Sequence, residues 1–342
     1  MINIWKKVSK KDVFFCLAPM SDVTDIVFRQ IIAKYSRHDL PGQGKVGGGP
    51  DIFWTEFVSA DGIASNEGRK KILPILKFSK TEKPIIAQIF GAKPENIKTA
   101  CQIISKLGLP DWGFDGIDIN MGCPDRSILK QGAGAALINT PKLACEIIRA
   151  AKAGAPKLPI SVKTRIGYNV IEYKKWLPKI LAENISALTI HLRTKKEMSD
   201  ISAHFELAKD IVKTVRKYDK KVILIANGDV KSLEQGRQLA KETGFDGIMI
   251  GRAIFGNPWF FDSKIKRNNI SIKEKLKILI EHTKLYEKLL PHRNFANMKK
   301  HFKAYINGFE GVKELRNELM KTNNSKEVFD IIKNYFTKFS KT

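Results

Sequence analysis

One cysteine near the middle of the chain carries the strongest chemical signal in the sequence. Cys123 ends the segment DINMGC and stands between Gly122 and Pro124. An unperturbed thiol has a pKa of about 8.5, so at neutral pH it is mostly protonated and can act as a general acid. A nucleophilic role would need nearby cations that depress this pKa. We predict a catalytic role for Cys123 and interpret the remaining thiols as small buried hydrophobes, namely Cys16, Cys101 and Cys145.

Polar residues follow the other apolar runs of the sequence in the same way. Barrels of parallel strands build their active sites at the carboxyl ends of those strands. Any one such residue could be a structural residue, but their joint placement predicts a single site. The residues at or near these strand ends are Pro19, Met20, Ser21, Thr55, Glu56, Gln88, Asn120, Lys163, Arg165, His191, Arg193, Asn227, Gly228, Asp229, Gly251 and Arg252.

The residues after the last two apolar runs suggest a binding site for a phosphate group. Gly228 and Gly251 would let the backbone approach an anion closely, and Arg252 adds a positive charge. Backbone amides of the last two loops often bind phosphate in an eight-stranded barrel. A purely structural tight turn is the alternative for each glycine, and we favour phosphate binding because both loops fit together.

A phosphate site beside an amide and an amine suits flavin mononucleotide (FMN). The side chain of Gln88 can donate to and accept from the edge of the isoalloxazine ring. The ammonium group of Lys163 would stabilise the reduced, anionic flavin. The sequence has no GxGxxG motif after a first strand, so it does not support a nicotinamide domain of the Rossmann type.

Short apolar runs alternate with helical stretches over the first three quarters of the chain. This alternation is typical of βα units around a parallel sheet. Eight such units predict an α/β fold, a (β/α)8 TIM barrel over residues 1–261. The segment Ile72–Phe78 in the second unit is interpreted as an additional strand or loop rather than a helix. The predicted strands are Phe14–Ala18, Phe53–Phe57, Ile85–Phe90, Gly116–Asn120, Ile160–Thr164, Ala187–His191, Val222–Ala226 and Gly247–Ile250.

Two segments depart from this alternation. Residues 37–51 contain five glycines, which predicts a mobile surface loop that we interpret as a neutral insertion rather than a cover for substrate. Residues 262–342 look helical throughout and predict a separate small domain. That segment carries 19 Lys and Arg against 9 Asp and Glu, so its lysines are candidates for phosphate contacts. Its aromatic residues recur at helical spacing, which favours a core role over base stacking.

Composition restricts the partners and the compartment. A net charge of +25 attracts polyanions, above all nucleic acid or an anionic membrane surface, although a lysine-rich proteome would explain part of the excess. The four cysteines form no CxxC pair and no zinc-ligand cluster with histidine, so we expect no metal and a reducing compartment. No signal peptide and no apolar run of about 18 residues is present, which predicts a cytoplasmic protein.

Several segments, in order along the chain, resemble the tRNA-dihydrouridine synthase family. GCP after a DIN strand, followed by the KTRIG, NGD and GR segments, is specific as a combination, whereas each segment alone is weak. The resemblance covers nearly the whole chain. Its segments are APMSDVTDIVFR (18–29), TEFVSADG (55–62), AQIFG (87–91), DGIDINMGCP (115–124), GAGAALI (132–138), SVKTRIG (161–167), LTIHLRT (188–194), IANGDV (225–230), GIMIGRAIFGNPWFF (247–261) and MKKHFKAY (298–305).

The resemblance implies an FMN enzyme that is reduced by NADPH or NADH and transfers hydride to carbon 6 of a uracil in tRNA. It implies that Cys123 protonates carbon 5, that Asn120 orients the uracil or the flavin, and that Arg165 contacts the substrate. We further expect a monomer. The FMN contacts that the resemblance implies are Pro19, Met20, Ser21, Gln88, Lys163, His191, Asn227, Gly228, Asp229, Gly251 and Arg252.

Two other functions remain open from the residues. A flavin barrel that reduces a small molecule would use the same loops but would not need the basic helical segment. A non-catalytic RNA-binding protein on the same barrel would be colourless when purified.

Overall fold

A computed structural model describes residues 3–36, 49–107, 113–265, 270–309 and 311–339. Within them, eight parallel strands form one sheet in the order β1-β8-β7-β6-β5-β4-β3-β2. Three of the predicted strands have the predicted bounds, and the other five differ at their ends by one or two residues. The strands are Phe14–Leu17 (β1), Phe53–Ser59 (β2), Ile85–Phe90 (β3), Gly116–Met121 (β4), Ile160–Arg165 (β5), Ala187–His191 (β6), Ile223–Asn227 (β7) and Gly247–Ile250 (β8).

The sheet closes on itself at its first and last strands. Cys16 of β1 pairs with Ile52, just before β2, in a parallel bridge. The amide of Leu17 donates to the carbonyl of Ile52 at 3.3 Å, and the amide of Asp51 donates to the carbonyl of Phe15 at 2.8 Å. This ladder joins the two edges, and the predicted (β/α)8 TIM barrel is confirmed.

Helices connect the strands, as the alternation predicted. Their ends follow local capping: Ser232 caps the helix at Leu233–Thr243, and Gly244 ends it with φ of 87°. The α-helices within the described residues are Ile4–Val8 (α1), Ile26–Tyr35 (α2), Ala60–Ala64 (α3), Asn66–Ile72 (α4), Pro94–Ile104 (α5), Arg126–Leu129 (α6), Pro141–Gly154 (α7), Tyr173–Leu181 (α8), Ala208–Tyr218 (α9), Leu233–Thr243 (α10), Ile272–Leu289 (α11), Lys299–Tyr305 (α12), Val312–Leu319 (α13) and Ser325–Phe339 (α14).

The prediction of a strand or loop for residues 72–78 was wrong for residues 72–76, whereas residues 77–78 are loop. The segment follows α4 directly as a 3₁₀ turn at Leu73–Leu76 rather than as a strand or loop. Pro74 lacks the amide hydrogen that an α-helix would need, and a short 3₁₀ turn accommodates it. The predicted glycine-rich loop falls outside the described residues at positions 37–48.

The inside of the barrel is packed at its amino-terminal end by α1. Trp5 of this helix lies against Trp54 at the start of β2, with ring centroids 6.2 Å apart. Ile4 and Val8 are buried in the same cluster as Phe14 and residues near the starts of other strands. Because this end is filled by apolar side chains, the polar residues are left for the opposite end of the strands.

The chain divides into two compact units. The barrel unit comprises Met1–Thr24 and Pro50–Gly251, and the helical unit comprises Asp25–Gly49 and Arg252–Thr342. The division therefore differs from the predicted one at residue 261, since α2 and residues 252–261 belong with the C-terminal helices. In the helical unit, Val27 and Ile31 of α2 share a core with residues of α11 to α14.

Aromatic residues of the helical unit mostly serve its core, as predicted. Phe302 and Tyr305 are fully buried, and Phe309, Tyr335 and Phe336 pack against them. Phe329 is the exception, because it is exposed and Lys284 lies over its ring at 4.9 Å.

Candidate active site

Asn120 shapes the turn that presents Cys123. Its side-chain Oδ1 accepts hydrogen bonds from the backbone amides of Gly122 at 3.1 Å and Cys123 at 2.9 Å. This Asx-type turn bends the chain directly after β4. The amide nitrogen of Asn120 donates to Gln88 Oε1 at 3.2 Å. In this structure Asn120 therefore holds the cysteine loop, and its expected contact with uracil or flavin stays a prediction.

The remainder of the loop folds back onto Cys123. The carbonyl of Cys123 accepts from the amide of Ala135 at 3.0 Å. Gly134 makes this approach possible, because its φ is +61° and a Cβ there would lie 2.8 Å from that carbonyl oxygen. Cys123 itself is half-buried. The loop thus fixes the backbone of the cysteine and leaves the thiol partly accessible.

The surroundings of Cys123 favour the protonated thiol. Burial raises the pKa of the Cys123 thiol above its ordinary value, and the positive charges of Arg165 and Lys163 offset only part of that increase. A thiol with a raised pKa is a proton donor at neutral pH and a poor nucleophile. The environment supports general-acid chemistry rather than covalent catalysis.

Arg165 joins the cysteine loop to the loop after β6. Its Nε donates to the carbonyl of Gly122 at 2.7 Å. Its Nη1 donates to the carbonyls of Thr194 at 2.9 Å and Met198 at 3.1 Å. Burial lowers the pKa of Arg165 to about 10, so the side chain still carries its charge at neutral pH. The expected contact of Arg165 with substrate stays a prediction beside this bracing role.

Lys163 and Asn227 form a second pair across the barrel. Lys163 Nζ donates to Asn227 Oδ1 at 2.9 Å, and Asn227 Nδ2 donates to the carbonyl of Met249 at 2.9 Å. Burial, followed by repulsion from Arg165, lowers the pKa of Lys163 to about 8. Lys163 is therefore mainly protonated at pH 7 and can release that proton with little change of pH.

A buried carboxylate lies beneath these groups and was not among the predicted site residues. Asp118 of β4 is opposite Gln88 of β3 and Ser161 of β5 in the sheet register. It accepts from Gln88 Nε2 at 2.7 Å and from Ser161 Oγ at 2.5 Å. Its spacing of two residues from Asn120 puts both on the inner face of β4, a signal that was present in the sequence.

The loops after β6 and β7 are held by a buried arginine. The guanidinium of Arg193 forms an ion pair with Asp229 and donates to the carbonyl of Ile201 at 2.7 Å. Arg193 was among the predicted strand-end residues but was assigned no contact with cofactor or substrate. Its Nη1 lies 3.1 Å from His191 Nε2. Since a guanidinium can only donate, His191 accepts at Nε2 and carries its proton on Nδ1.

The two glycines predicted to bind phosphate differ in their surroundings. Gly228 has φ of +133°, and a Cβ there would lie 2.8 Å from the Cβ of Ala203, so this position requires glycine. A Cβ at Gly251 would meet only Ala18, at 3.9 Å. The space beside Gly251 is thus open to a ligand. Arg252 begins a 3₁₀ turn of the helical unit and is exposed, and its contact with phosphate stays a prediction.

The loop after β1 carries the remaining predicted residues. The amide of Met20 donates to Thr24 Oγ1 at 2.8 Å, and the amide of Asp22 donates to the buried Glu56 at 2.7 Å. Pro19 is buried, whereas Ser21 is exposed. The side chains of Thr24 and Glu56 hold this loop, and its contact with a flavin stays a prediction.

The described residues contain no group of three or more His, Cys, Asp or Glu that could hold a metal ion. Among the helices of the described ranges, none is long and apolar enough to cross a membrane.

Solved structures share the barrel. The chain is similar to a 2-naphthoyl-CoA reductase in complex with 2-naphthoyl-CoA, with a TM-score of 0.52 and 11% identity over 72% of this chain and 49% of that one. It is also similar to histamine dehydrogenase from Rhizobium sp. 4-9, with a TM-score of 0.52 and 12% identity over 80% of this chain and 49% of that one. At these identities the likeness concerns the fold alone.

Similarity in sequence is much closer. "Probable tRNA-dihydrouridine synthase 2" of Bacillus subtilis (strain 168) is 39% identical over 340 residues, which cover 98% of each chain. A "Probable tRNA-dihydrouridine synthase" of Staphylococcus epidermidis is 41% identical over 334 residues, which cover 96% of this chain and 95% of the relative. The family model "Dihydrouridine synthase (Dus)" matches residues 16–341. Cys123 and the side chains of Asn120, Lys163 and Arg165 lie within that match, and the chain belongs to the dihydrouridine synthase family.

Proposed function

We propose that this chain is a tRNA-dihydrouridine synthase, which reduces the 5,6 double bond of uridines in tRNA with Cys123 as the proton donor. Family membership and the close relatives support the reaction. The single observation that carries the role of Cys123 is its protonated, half-buried thiol on a loop held by Asn120 and Arg165. FMN is the cofactor of this reaction, and NADPH or NADH is its reductant.

The residues present fit FMN. Gln88, Lys163 and His191 offer amide, ammonium and imidazole groups at the carboxyl ends of three strands. The backbone is open beside Gly251, where a phosphate could approach closely. Of the predicted set, we infer that these residues and Asn227 line the ring and that the loops at Gly228 and Gly251 hold the phosphate. FMN, when bound, supplies the hydride for carbon 6 of the uracil.

The protein's own groups complete the addition. The thiol of Cys123 donates its proton to carbon 5 of the uracil. The S–H bond breaks, and its electron pair stays on sulfur, which becomes a thiolate. The charges of Arg165 and Lys163 lower the energy of that thiolate, since both act on the sulfur electrostatically. A proton from solvent restores the thiol for the next turnover.

The charge of the molecule suits an RNA substrate. The excess of 60 basic over 35 acidic residues attracts the phosphate backbone, and release of counterions makes such binding sensitive to salt. A target uracil inside folded RNA must be turned out of its stack to reach the barrel. We infer a monomer that acts where tRNA is found, in the cytoplasm.

Mass spectrometry of tRNA tests the function directly. Unmodified tRNA is incubated with FMN-loaded enzyme and NADPH, digested to nucleosides and compared with a sample without reductant. We expect uridines that have gained two hydrogens only in the complete reaction. Unchanged tRNA, together with rapid reduction of a small enone by the same preparation, would instead support a small-molecule reductase.

A further inference from the structure

A chain of hydrogen bonds runs from the floor of the site to the catalytic loop. Ser161 and Gln88 donate to Asp118, Asn120 donates to Gln88, and the backbone amide of Cys123 donates to Asn120. All of these groups lie in or directly after β3, β4 and β5 of the barrel unit. We call this chain of hydrogen bonds the relay. We propose that the Asp118 carboxylate fixes which groups donate and which accept along the relay, through Gln88 and Asn120, and so positions Cys123. The proposal rests on the proposed function of Cys123.

The groups at the two ends of the relay require the same orientation of the side-chain amides between them. The amides of Gly122 and Cys123 can only donate, so the oxygen of Asn120 faces them and its nitrogen faces Gln88. Gln88 then meets Asn120 with its oxygen and Asp118 with its nitrogen. An ionised carboxylate only accepts, and therefore Asp118 holds Gln88 in this orientation.

A protonated or neutral group at position 118 would release this constraint. It could donate to the oxygen of Gln88 and turn that amide over, leaving the nitrogens of Gln88 and Asn120 facing each other. Asn120 would then have to turn its oxygen away from the Cys123 amide. The position of the catalytic loop thus depends on the charge of Asp118, which acts on Cys123 through the side chains of Gln88 and Asn120.

The burial of Asp118 indicates a role beyond packing. Its side chain is 0% exposed, and a carboxylate in such a place is costly unless its hydrogen bonds compensate. Burial raises the pKa of Asp118 to about 6, while the bonds from Gln88 and Ser161 and the charge of Lys163 act in the opposite direction. The relay is therefore intact at pH 7 and is released as the pH falls through about 6.

Asp118 is a positioning residue, so the test needs a readout other than turnover. The alkylation rate of Cys123 by iodoacetamide, followed by peptide mass spectrometry, reports the state of its loop. Cys145, half-buried on α7, is the internal reference in the same sample. In Asp118→Asn we expect the alkylation rate of Cys123 to change at least about threefold while that of Cys145 stays constant. The reason is that the carboxylate no longer fixes the orientation of Gln88 and Asn120, so the Cys123 loop is held less firmly.

Single-turnover kinetics supply the second readout. The tRNA-dependent step should slow about tenfold in Asp118→Asn, and its loss of rate below about pH 6 should disappear, since no carboxyl remains to titrate. The matched variant Ser161→Ala keeps the carboxylate but removes one of its donors. It should keep the rate at pH 8 and move the acidic limb to higher pH, since the pKa of Asp118 rises.

The outcomes separate the relay from the function. Wild-type alkylation and a wild-type pH profile in folded Asp118→Asn would overturn the relay. If that variant does not fold, an unshifted acidic limb in Ser161→Ala overturns it equally. If Asp118→Asn alters alkylation of Cys123 but the wild-type enzyme leaves tRNA unchanged, the relay stands and the proposed function falls.

Discussion

At the scale of single residues, the site separates groups that can react from groups that hold them. Burial favours the neutral form of both Cys123 and Lys163, because it raises the pKa of the thiol, which keeps its proton at neutral pH, and lowers the pKa of the amine to about 8. Asn120 and Arg165 are largely committed to backbone atoms. Residue types at strand ends predicted that such groups would meet, but not which would face solvent and which would brace a loop.

Removing the thiol should stop protonation and leave the cofactor site intact. We expect Cys123→Ala to retain FMN and its reduction by NADPH but to lose all but about one part in 10² to 10⁴ of product formation, as for removal of a general acid. Flavin absorbance, stopped-flow reduction and nucleoside mass spectrometry measure the three quantities. Cys145→Ser serves as the control. Wild-type product formation by Cys123→Ala would show that another group donates the proton.

The two glycines allow backbone strain to be separated from ligand contact. Gly228→Ala should destabilise the fold by about 1–3 kcal/mol, because its φ of +133° is unfavourable for alanine and its Cβ would meet Ala203. Gly251→Ala should leave the melting temperature of the FMN-free protein unchanged but weaken FMN binding, measured by quenching of flavin fluorescence. Undiminished FMN affinity in Gly251→Ala would argue against a phosphate at that loop.

At the scale of elements, the strands were more predictable than the loops. Ile85–Phe90 and Ala187–His191 are mostly apolar and buried along nearly their whole length, as expected for strands covered on both faces. Residues 133–153 divide into a 3₁₀ segment, Gly134–Asn139, and α7, because Pro141 favours the first turn of a new helix. Periodicity could not reveal the ion pair of Arg193 with Asp229, since that contact depends on tertiary structure.

The Arg193 ion pair makes the loop after β6 sensitive to a single substitution. Its side chain is 2% exposed, so Arg193→Met removes the buried charge that pairs with Asp229 and should cost about 3 kcal/mol or more. Arg149→Met removes a pair with Glu183 in which the arginine is exposed, and should cost less than about 1 kcal/mol. Urea denaturation of both variants compares the two costs. Equal losses of stability would contradict the bracing role of Arg193.

At the scale of the whole molecule, composition predicted a basic helical unit but not its full membership. Helix α2 lies between β1 and β2 in sequence and was assigned to the barrel, yet Val27 and Ile31 pack with the C-terminal helices. An amphipathic helix buries its apolar stripe against any matching surface. The sequence shows that α2 has an apolar face but not which surface that face packs against. The assignment of α2 to the helical unit therefore required the structure.

The helical unit should lose stability in acid because of two buried histidines. Burial lowers the pKa of His282 to about 3 and that of His301 well below its ordinary value, and the centroids of the two rings lie 4.7 Å apart. Unfolded histidines bind protons below about pH 6.5, so unfolding should become easier by up to about 1.4 kcal/mol per pH unit for each. His301→Leu should reduce this slope in urea denaturation followed between about pH 6.5 and pH 4.5.

A surface histidine gives a control of opposite sign. Partial burial opposes protonation of His204, but its bonds to Glu206 and Glu197 prevail and raise its pKa. Its pairing stabilises the fold at low pH and is lost as the pH rises through that pKa. His204→Gln should therefore remove a gain in stability that the wild type shows as the pH falls through that pKa to about 6.5, and should leave the slope below about pH 6.5 unchanged. An unchanged slope in His301→Leu would exclude the buried pair as its cause.

The pairing of β1 with β8 has a consequence for synthesis on the ribosome. Phe14 pairs with Gly247, so the first strand to leave the exit tunnel waits more than two hundred residues for its neighbour. Until then the apolar strand and Trp5, which completes the barrel interior, have no finished enclosure. A nascent chain halted before residue 247 would expose this surface and aggregate or recruit chaperones. Once the remaining residues are released, β8 can pair with β1, and the barrel closes in a single late step.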